Sequence, residues 1–204
     1  MTIGYHVLTT VLGYLLGSLP VGYLVGKLYG VDVRQHGSGR TGGTNVWRAT
    51  GQLGPPLLTV LGDVAKGLLA VWLARRLTGS ELAAALSGAA AVFGHNWPIF
   101  LRFKGGAGGI TAGACLVMLN GVAGAISVPI AALALYLSHY ASVGTLTVGV
   151  GGLLVLIIMR LATPELTPAI HLLYGLLSAA WIVWALRPNI RRLFRGTERR
   201  ITLW

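Results

Sequence analysis

The sequence predicts an all-α, polytopic membrane protein with seven transmembrane helices, the N-terminus outside and the C-terminus cytoplasmic. Three observations lead there. Hydrophobic residues make up 54% of the 204 residues and charged ones only 10%, with a mean hydropathy of +0.72. A water-soluble domain carries nearer a quarter charged residues. The apolar residues also fall in runs suited to a hydrocarbon core about 30 Å thick. Finally, the sixteen Lys and Arg residues sit almost entirely between those runs and in the tail. The length fits one domain, residues 1–204.

The first span is expected over residues 3–25, with Gly13, Gly17, Gly22 and Gly26 forming two small-xxx-small pairs for close helix packing. It is long enough to remain as an anchor, and no basic region precedes it as in a cleaved signal. Lys27 ends it, and residues 27–52 form a glycine-rich loop. The second span covers residues 53–73 and is closed by Arg75 and Arg76. Asp63 and Lys66 lie three apart within it, hence on one helical face, as an internal ion pair or a direct substrate contact. The third span covers 82–100. Near its end stands Gly94-His95-Asn96-Trp97-Pro98, where His95 reads as a structural hydrogen-bonding group, a base or a phosphate ligand. A second glycine-rich loop follows at 102–109.

Residues 110–138 are too long for one ordinary span, and Asn120-Gly121 predicts a hairpin between a short fourth span and a fifth over 122–137. The sixth span is expected over 143–159 and the seventh over 170–186. The arginine-rich tail carries Ile190, Leu193 and Phe194 at helical spacing, suited to the membrane surface. Charge tests the hairpin. Seven spans put Lys27, Arg34, Arg40, Arg48, Arg102, Lys104 and six tail arginines on the cytoplasmic side, twelve of sixteen basic residues. One span over 110–138 would separate the tail from the glycine loops, against the positive-inside rule.

The net charge of +11 is therefore read as membrane orientation, anionic lipid and phosphate substrates, with no nucleic acid partner. A single cysteine, Cys115, excludes an intramolecular disulfide and a cysteine-rich metal site. Neither metal-ligand spacing, nor a Ser-His-Asp set, nor a dinucleotide fingerprint can be assembled, so no metal and no cofactor is expected.

Two loops carry the chemistry. Residues 37–48, Gly37-Ser38-Gly39-Arg40-Thr41-Gly42-Gly43-Thr44-Asn45-Val46-Trp47-Arg48, combine turning glycines, neutral hydrogen-bonding groups and two guanidiniums. Residues 103–109, Phe103-Lys104-Gly105-Gly106-Ala107-Gly108-Gly109, repeat the recipe. Glycines let backbone N–H groups approach an anion, so both loops and the tail are expected around one phosphate site. Carboxyl bases are scarce: Asp32 is next to the first loop, Glu81 and Glu165 fall outside, and Glu198 lies far down the tail. Catalysis would rest on positioning and on neutralising developing charge.

Over essentially its whole length the chain resembles the bacterial acyl-phosphate:glycerol-3-phosphate acyltransferases, seven-span inner-membrane enzymes. The carriers are Leu16-Gly17-Ser18, Gly37-Ser38-Gly39, Thr44-Asn45 with Arg48, Asp63 with Lys66, Gly94-His95 with Pro98, Phe103-Lys104-Gly105-Gly106, and Asn189 with Gly196. The resemblance implies acyl transfer from acyl-phosphate to the 1-hydroxyl of glycerol 3-phosphate, giving lysophosphatidic acid and phosphate for phospholipid synthesis. The substrates, membrane lipid and a cytoplasm-facing site follow with it. It implies catalytic roles for Ser38, Arg48 and Asn189; from the character of the two loops, substrate contacts are also expected from Gly37, Gly39, Arg40, Thr44, Asn45, His95, Lys104, Gly105 and Gly106.

Three positions depart from the family pattern. A second loop lysine is replaced by Ala107, a tail histidine by Leu186, and the asparagine that usually follows Gly-Ser-Gly by Arg40. A guanidinium gained at Arg40 reaches several ångströms beyond an asparagine and would refill the charge lost at Ala107. The alternatives are a solvated Arg40 in a catalytically impaired paralogue that binds a phosphorylated ligand or regulates a true acyltransferase. A small transporter is a third class, weakened by the lack of an inverted repeat.

Overall fold

A computed structural model describes residues 3–202, which contain helices and turns and no strand among them. Helix α1 (Ile3–Ser18) and α2 (Val21–Leu28) come first, separated at Leu19-Pro20. Pro20 has no N–H to continue the ladder. The Leu16 carbonyl accepts from the Leu19 N–H at 3.2 Å in its place, and the buried Lys66 ammonium donates to the Leu19 carbonyl at 3.2 Å. The first apolar run is thus two helices rather than one. Helix α3 (Gly43–Thr50) follows the first glycine loop, and α4 (Gly54–Thr78) begins on Pro55 and Pro56, favoured where N–H groups lack partners. Gly79 closes α4 in the left-handed conformation at φ +64°.

Ser80 caps α5 (Glu81–Asn96), its oxygen accepting from the Ala83 N–H at 3.3 Å. Helices α6 (Gly109–Leu119) and α7 (Gly121–Ser138) meet at Asn120, whose Oδ1 accepts from the Ala123 N–H at 3.0 Å while its Nδ2 donates to the Leu166 carbonyl at 3.0 Å. The expected hairpin is therefore built and tied down by one amide. Helix α8 (Ala141–Leu146) passes through a π-helical turn at Thr147–Gly151 into α9 (Gly152–Ala162). Helix α10 runs Ile170–Phe194, past Leu186 and through Pro188. Pro188 leaves the Trp184 carbonyl without its usual donor, and the Arg187 Nε supplies one at 3.2 Å. The tail residues up to Phe194, Arg191 and Arg192 among them, are thus a continuation of α10.

Among the described residues five segments are long and apolar enough to cross a membrane: Ile3–Leu28, Gly54–Thr78, Gly121–Ser138, Ala141–Ala162 and Ile170–Phe194. The other two expected spans are the shorter α5, with 16 residues, and α6, with 11. At 1.5 Å per residue α6 rises only about 16 Å.

Small side chains hold the bundle together. Gly13 and Gly17 on α1 lie against Ser87 and Ala91 of α5, where any Cβ would collide with that helix. Gly22 and Gly26 serve a different purpose, admitting Thr41 and Val33 of the first loop. The core between α4, α5, α6, α9 and α10 is formed by Ala70, Val71, Ala84, Ala85, Ala89, Cys115, Leu116, Leu156 and Tyr174. At one end Arg75 holds Glu81 through two hydrogen bonds of 2.8 Å and also donates to the Met118 and Leu119 carbonyls that close α6. The antiparallel course of α4, α5, α6 and α10 then brings Asp63, His95, Gly109 and Asn189 toward the opposite end.

Candidate active site

At that end lies a cavity of about 130 Å³. Its lining comes from six places: the first loop and α3 (Ser38, Arg40, Thr44, Asn45, Arg48), Asp63 of α4, His95 of α5, the start of α6 at Ala107–Ile110, the start of α8, and α10 with the tail. The first turns of α3 and α6 both border it. The leading N–H groups of a helix lack intrahelical acceptors, and the dipole makes such ends favourable to anions.

Asn45 shapes the first loop. It is 3% exposed, its Oδ1 accepts from the Ser38 N–H at 2.9 Å, and its Nδ2 donates to the Val33 and Arg40 carbonyls at 2.8 Å each. Its amide is committed to the loop, so it positions Ser38 and Arg40 rather than offering free donors. Gly37 (φ +52°) and Gly39 (φ +70°) make the turns and stay outside the lining. Asp32, the acid nearest this loop, caps the turn Val33–Gln35, and hydrogen bonding to Arg34 holds its carboxyl well below the usual range.

The second loop folds back on α5. The Gly105 N–H donates to the Asn96 carbonyl at 3.2 Å and the Gly106 N–H to the His95 carbonyl at 2.9 Å, which satisfies the end of that helix. A Cβ on Gly106 would collide with the His95 imidazole. Gly108, at φ +78°, then turns the chain into α6. The donors expected from Gly105 and Gly106 are thus engaged, and Lys104, Gly105 and Gly106 do not line the cavity; the start of α6 does so in their place.

Beneath sits a charged cluster. Asp63 and Lys66 pair at 2.7 Å with side chains 3% and 4% exposed, and Asp63 also lies 3.4 Å from His95 Nδ1. The Thr111 hydroxyl adds a contact to His95 at 3.3 Å. Lys66 lies outside the lining, so the internal pair is realised, with the Asp63 edge reaching the cavity.

The tail supplies what sequence reasoning missed. Glu198 returns to the cavity, where its carboxylate accepts from Asn189 Nδ2 at 2.6 Å, Arg192 Nε at 2.7 Å and Ser142 Oγ at 3.1 Å. The Arg48 Nη2 donates to the Arg199 and Arg200 carbonyls at 3.4 and 3.2 Å, pinning the same segment. Burial lowers the pKa of the Arg48 guanidinium, Arg199 adds to that, and Glu198 opposes it. Arg192 stands three residues after Asn189, one helical face, a signal legible only once α10 is known to continue past Pro188.

The family model described as "Glycerol-3-phosphate acyltransferase" matches residues 7–196. The chain belongs to the glycerol-3-phosphate acyltransferase family. A glycerol-3-phosphate acyltransferase of Symbiobacterium thermophilum is 41% identical over 193 residues, covering 94% of this chain and 92% of the relative. One from Thermus thermophilus is also 41% identical, covering 95% and 94%. The crystal structure of PlsY (YgiH), an integral membrane glycerol 3-phosphate acyltransferase in its glycerol 3-phosphate form, aligns with TM-score 0.84 at 30% identity, covering 97% of this chain and 96% of that one. These relatives favour an active membrane acyltransferase over a non-catalytic paralogue.

Proposed function

We propose that the acyltransferase moves the acyl group of an acyl-phosphate to the 1-hydroxyl of glycerol 3-phosphate at the cytoplasmic face of the bacterial inner membrane. One observation carries this: Ser38 and Arg48, the start of α6, and Asn189 from the far end of the chain border a single cationic cavity. Two carboxylates there have cationic partners, Asp63 with Lys66 and Glu198 with Arg192. Arg40, Arg48 and Arg199 border the cavity with no carboxylate within salt-bridge distance among the described residues. Such a site attracts phosphate. The seven-span reading treats α5 and α6 as the remaining crossings, with the basic loops and tail inside.

In the proposed reaction the glycerol oxygen attacks the acyl carbonyl carbon, the carbon–oxygen bond to phosphate breaks, and inorganic phosphate leaves. The hydroxyl proton passes to a phosphate oxygen. Ser38 and Arg48 hold the acceptor phosphate, and the helix N-termini stabilise the tetrahedral oxyanion. Asn189 has its Nδ2 on Glu198, which can only accept as a carboxylate, so its Oδ1 faces another way; that oxygen is buried without a partner among the described residues. It suits an incoming O–H, and we assign it to the glycerol hydroxyl. An apolar trough on α5 and α10, bordered by Phe93, Trp97, Trp181 and Trp184, ends one residue before Ala185 and suits the acyl chain.

Purified protein supplied with palmitoyl-phosphate and glycerol 3-phosphate is expected to form lysophosphatidic acid. Absence of that product with both substrates would refute the reading.

A further inference from the structure

A guanidinium taken from water needs an acceptor for its donors and a counter-charge. Arg40 meets half of this requirement. Its Nη2 donates to the Ala185 carbonyl of α10, while its Nη1 is buried with no hydrogen-bond partner among the described residues. No carboxylate of those residues lies within salt-bridge distance of it; Arg192 acts against its charge more strongly than Glu198, already held by Arg192, favours it. Burial first, and Arg192 second, lower its pKa. A long cation is therefore anchored across the cavity from the first loop to α10, with one nitrogen unmatched.

The neighbouring wall explains why a cation is useful there. Ala107 and Leu186 pack into one apolar cluster with Val92, Ala112 and Ile182. The two positions that depart from the family pattern thus lie together, a methyl group and an isobutyl group sharing an apolar patch. Leu186 directly follows the residue whose carbonyl anchors Arg40. Charge absent from this patch is present one residue away.

We propose that Arg40 is an acceptor-binding residue of this enzyme, its Nη1 taking the phosphate of the phosphorylated acceptor at the edge of the Ala107–Leu186 patch. The inference rests on the proposed function and adds to it the group that fixes acceptor affinity. The anchored guanidinium presents two N–H donors in a fixed plane, which suits two oxygens of one phosphate. A phosphate dianion supplies the missing counter-charge.

Steady-state assays on purified protein test this, varying glycerol 3-phosphate and palmitoyl-phosphate separately. Arg40→Asn is expected to raise KM for glycerol 3-phosphate roughly ten- to a hundredfold, the range for a lost hydrogen bond to a charged group. KM for palmitoyl-phosphate should move far less. The triple variant R40N/A107K/L186H, which relocates the charge to the opposite wall, should recover at least about tenfold of the loss. Arg40→Lys keeps the charge without the planar fork and should fall between wild type and Arg40→Asn. An unchanged KM for glycerol 3-phosphate in Arg40→Asn overturns the inference while leaving acyl transfer intact. So does an equal loss in Arg40→Asn and Arg40→Lys with falling thermal stability and no recovery in the triple variant, since that describes a structural anchor to α10. If wild-type protein forms no lysophosphatidic acid, the functional reading fails instead. Titration of wild type and Arg40→Asn with inorganic phosphate then decides Arg40 separately: weaker binding by the variant supports it, equal binding overturns it.

Discussion

Asp63→Asn removes the carboxylate that faces Lys66 at 2.7 Å, with both side chains almost fully buried. At an effective dielectric of 20 the attraction at that distance is worth about 6 kcal/mol. Withdrawing two ions from water costs several kcal/mol each, so the intact pair comes out near neutral. The single variant is a different case. It keeps the cost of burying the Lys66 ammonium and leaves it the Leu19 carbonyl at 3.2 Å. Breaking a buried pair from one side costs about 3–5 kcal/mol. For a chain of this size that lowers the melting temperature by roughly 6–20 °C. Lys66→Met should be comparably damaging, and the double variant D63L/K66M should lie closer to wild type than either single one. Thermal unfolding in one detergent, followed by tryptophan fluorescence, measures all four proteins. A double variant as unstable as the sum of the singles would refute the balance, as would singles within about 0.5 kcal/mol of wild type.

Other outcomes follow from the same geometry. Arg48→Ala should lower kcat/KM for glycerol 3-phosphate by about thirtyfold to a few thousandfold, matching a lost charged contact of about 2–5 kcal/mol; unchanged turnover would count against the site. Gly106→Ala forces a methyl group onto the buried His95 ring, so a melting-point loss equivalent to about 1–3 kcal/mol is expected together with reduced kcat. Glu198→Gln weakens the grip on Arg192 and Asn189; because Arg192 is 35% exposed, the stability loss should stay near 1–2 kcal/mol, with the larger effect on glycerol 3-phosphate KM.

Much of this architecture is legible in the residues because it follows from local rules. Asn120-Gly121 breaks an apolar stretch too long for one crossing, and Asn120 caps the next helix. Asp63 and Lys66 at a three-residue spacing in an apolar run have little choice but to pair. What stayed hidden depends on contacts remote in sequence. Pro20 splits the first run, yet that split is stabilised by Lys66 from another helix. The seventh span is expected to end at Leu186, while an Arg187 side chain supplies the donor missing at Pro188 and lets α10 continue. Glu198 looks distant by residue count and returns only because Gly196, at φ +66°, turns the chain and Ile201 donates to the His139 carbonyl at 2.7 Å. The glycines at 105 and 106 suggest an anion cradle, whereas their N–H groups close α5. Composition does not distinguish those two uses of the same donors.

The charge balance of the cavity shows why an uncharged wall at Ala107 and Leu186 is compatible with phosphate binding. After Lys66 and Arg192 neutralise Asp63 and Glu198, three guanidiniums remain. The first turns of α3 and α6 add roughly half a charge each. That total is near the charge of two phosphates, each about −1.5 to −2 at neutral pH. Fixed helix ends contribute part of the field whatever side chain stands at 107. A cation removed from one wall therefore needs replacement only somewhere within reach of the same oxygens. Arg40, held to α10 beside this apolar patch, is at such a place.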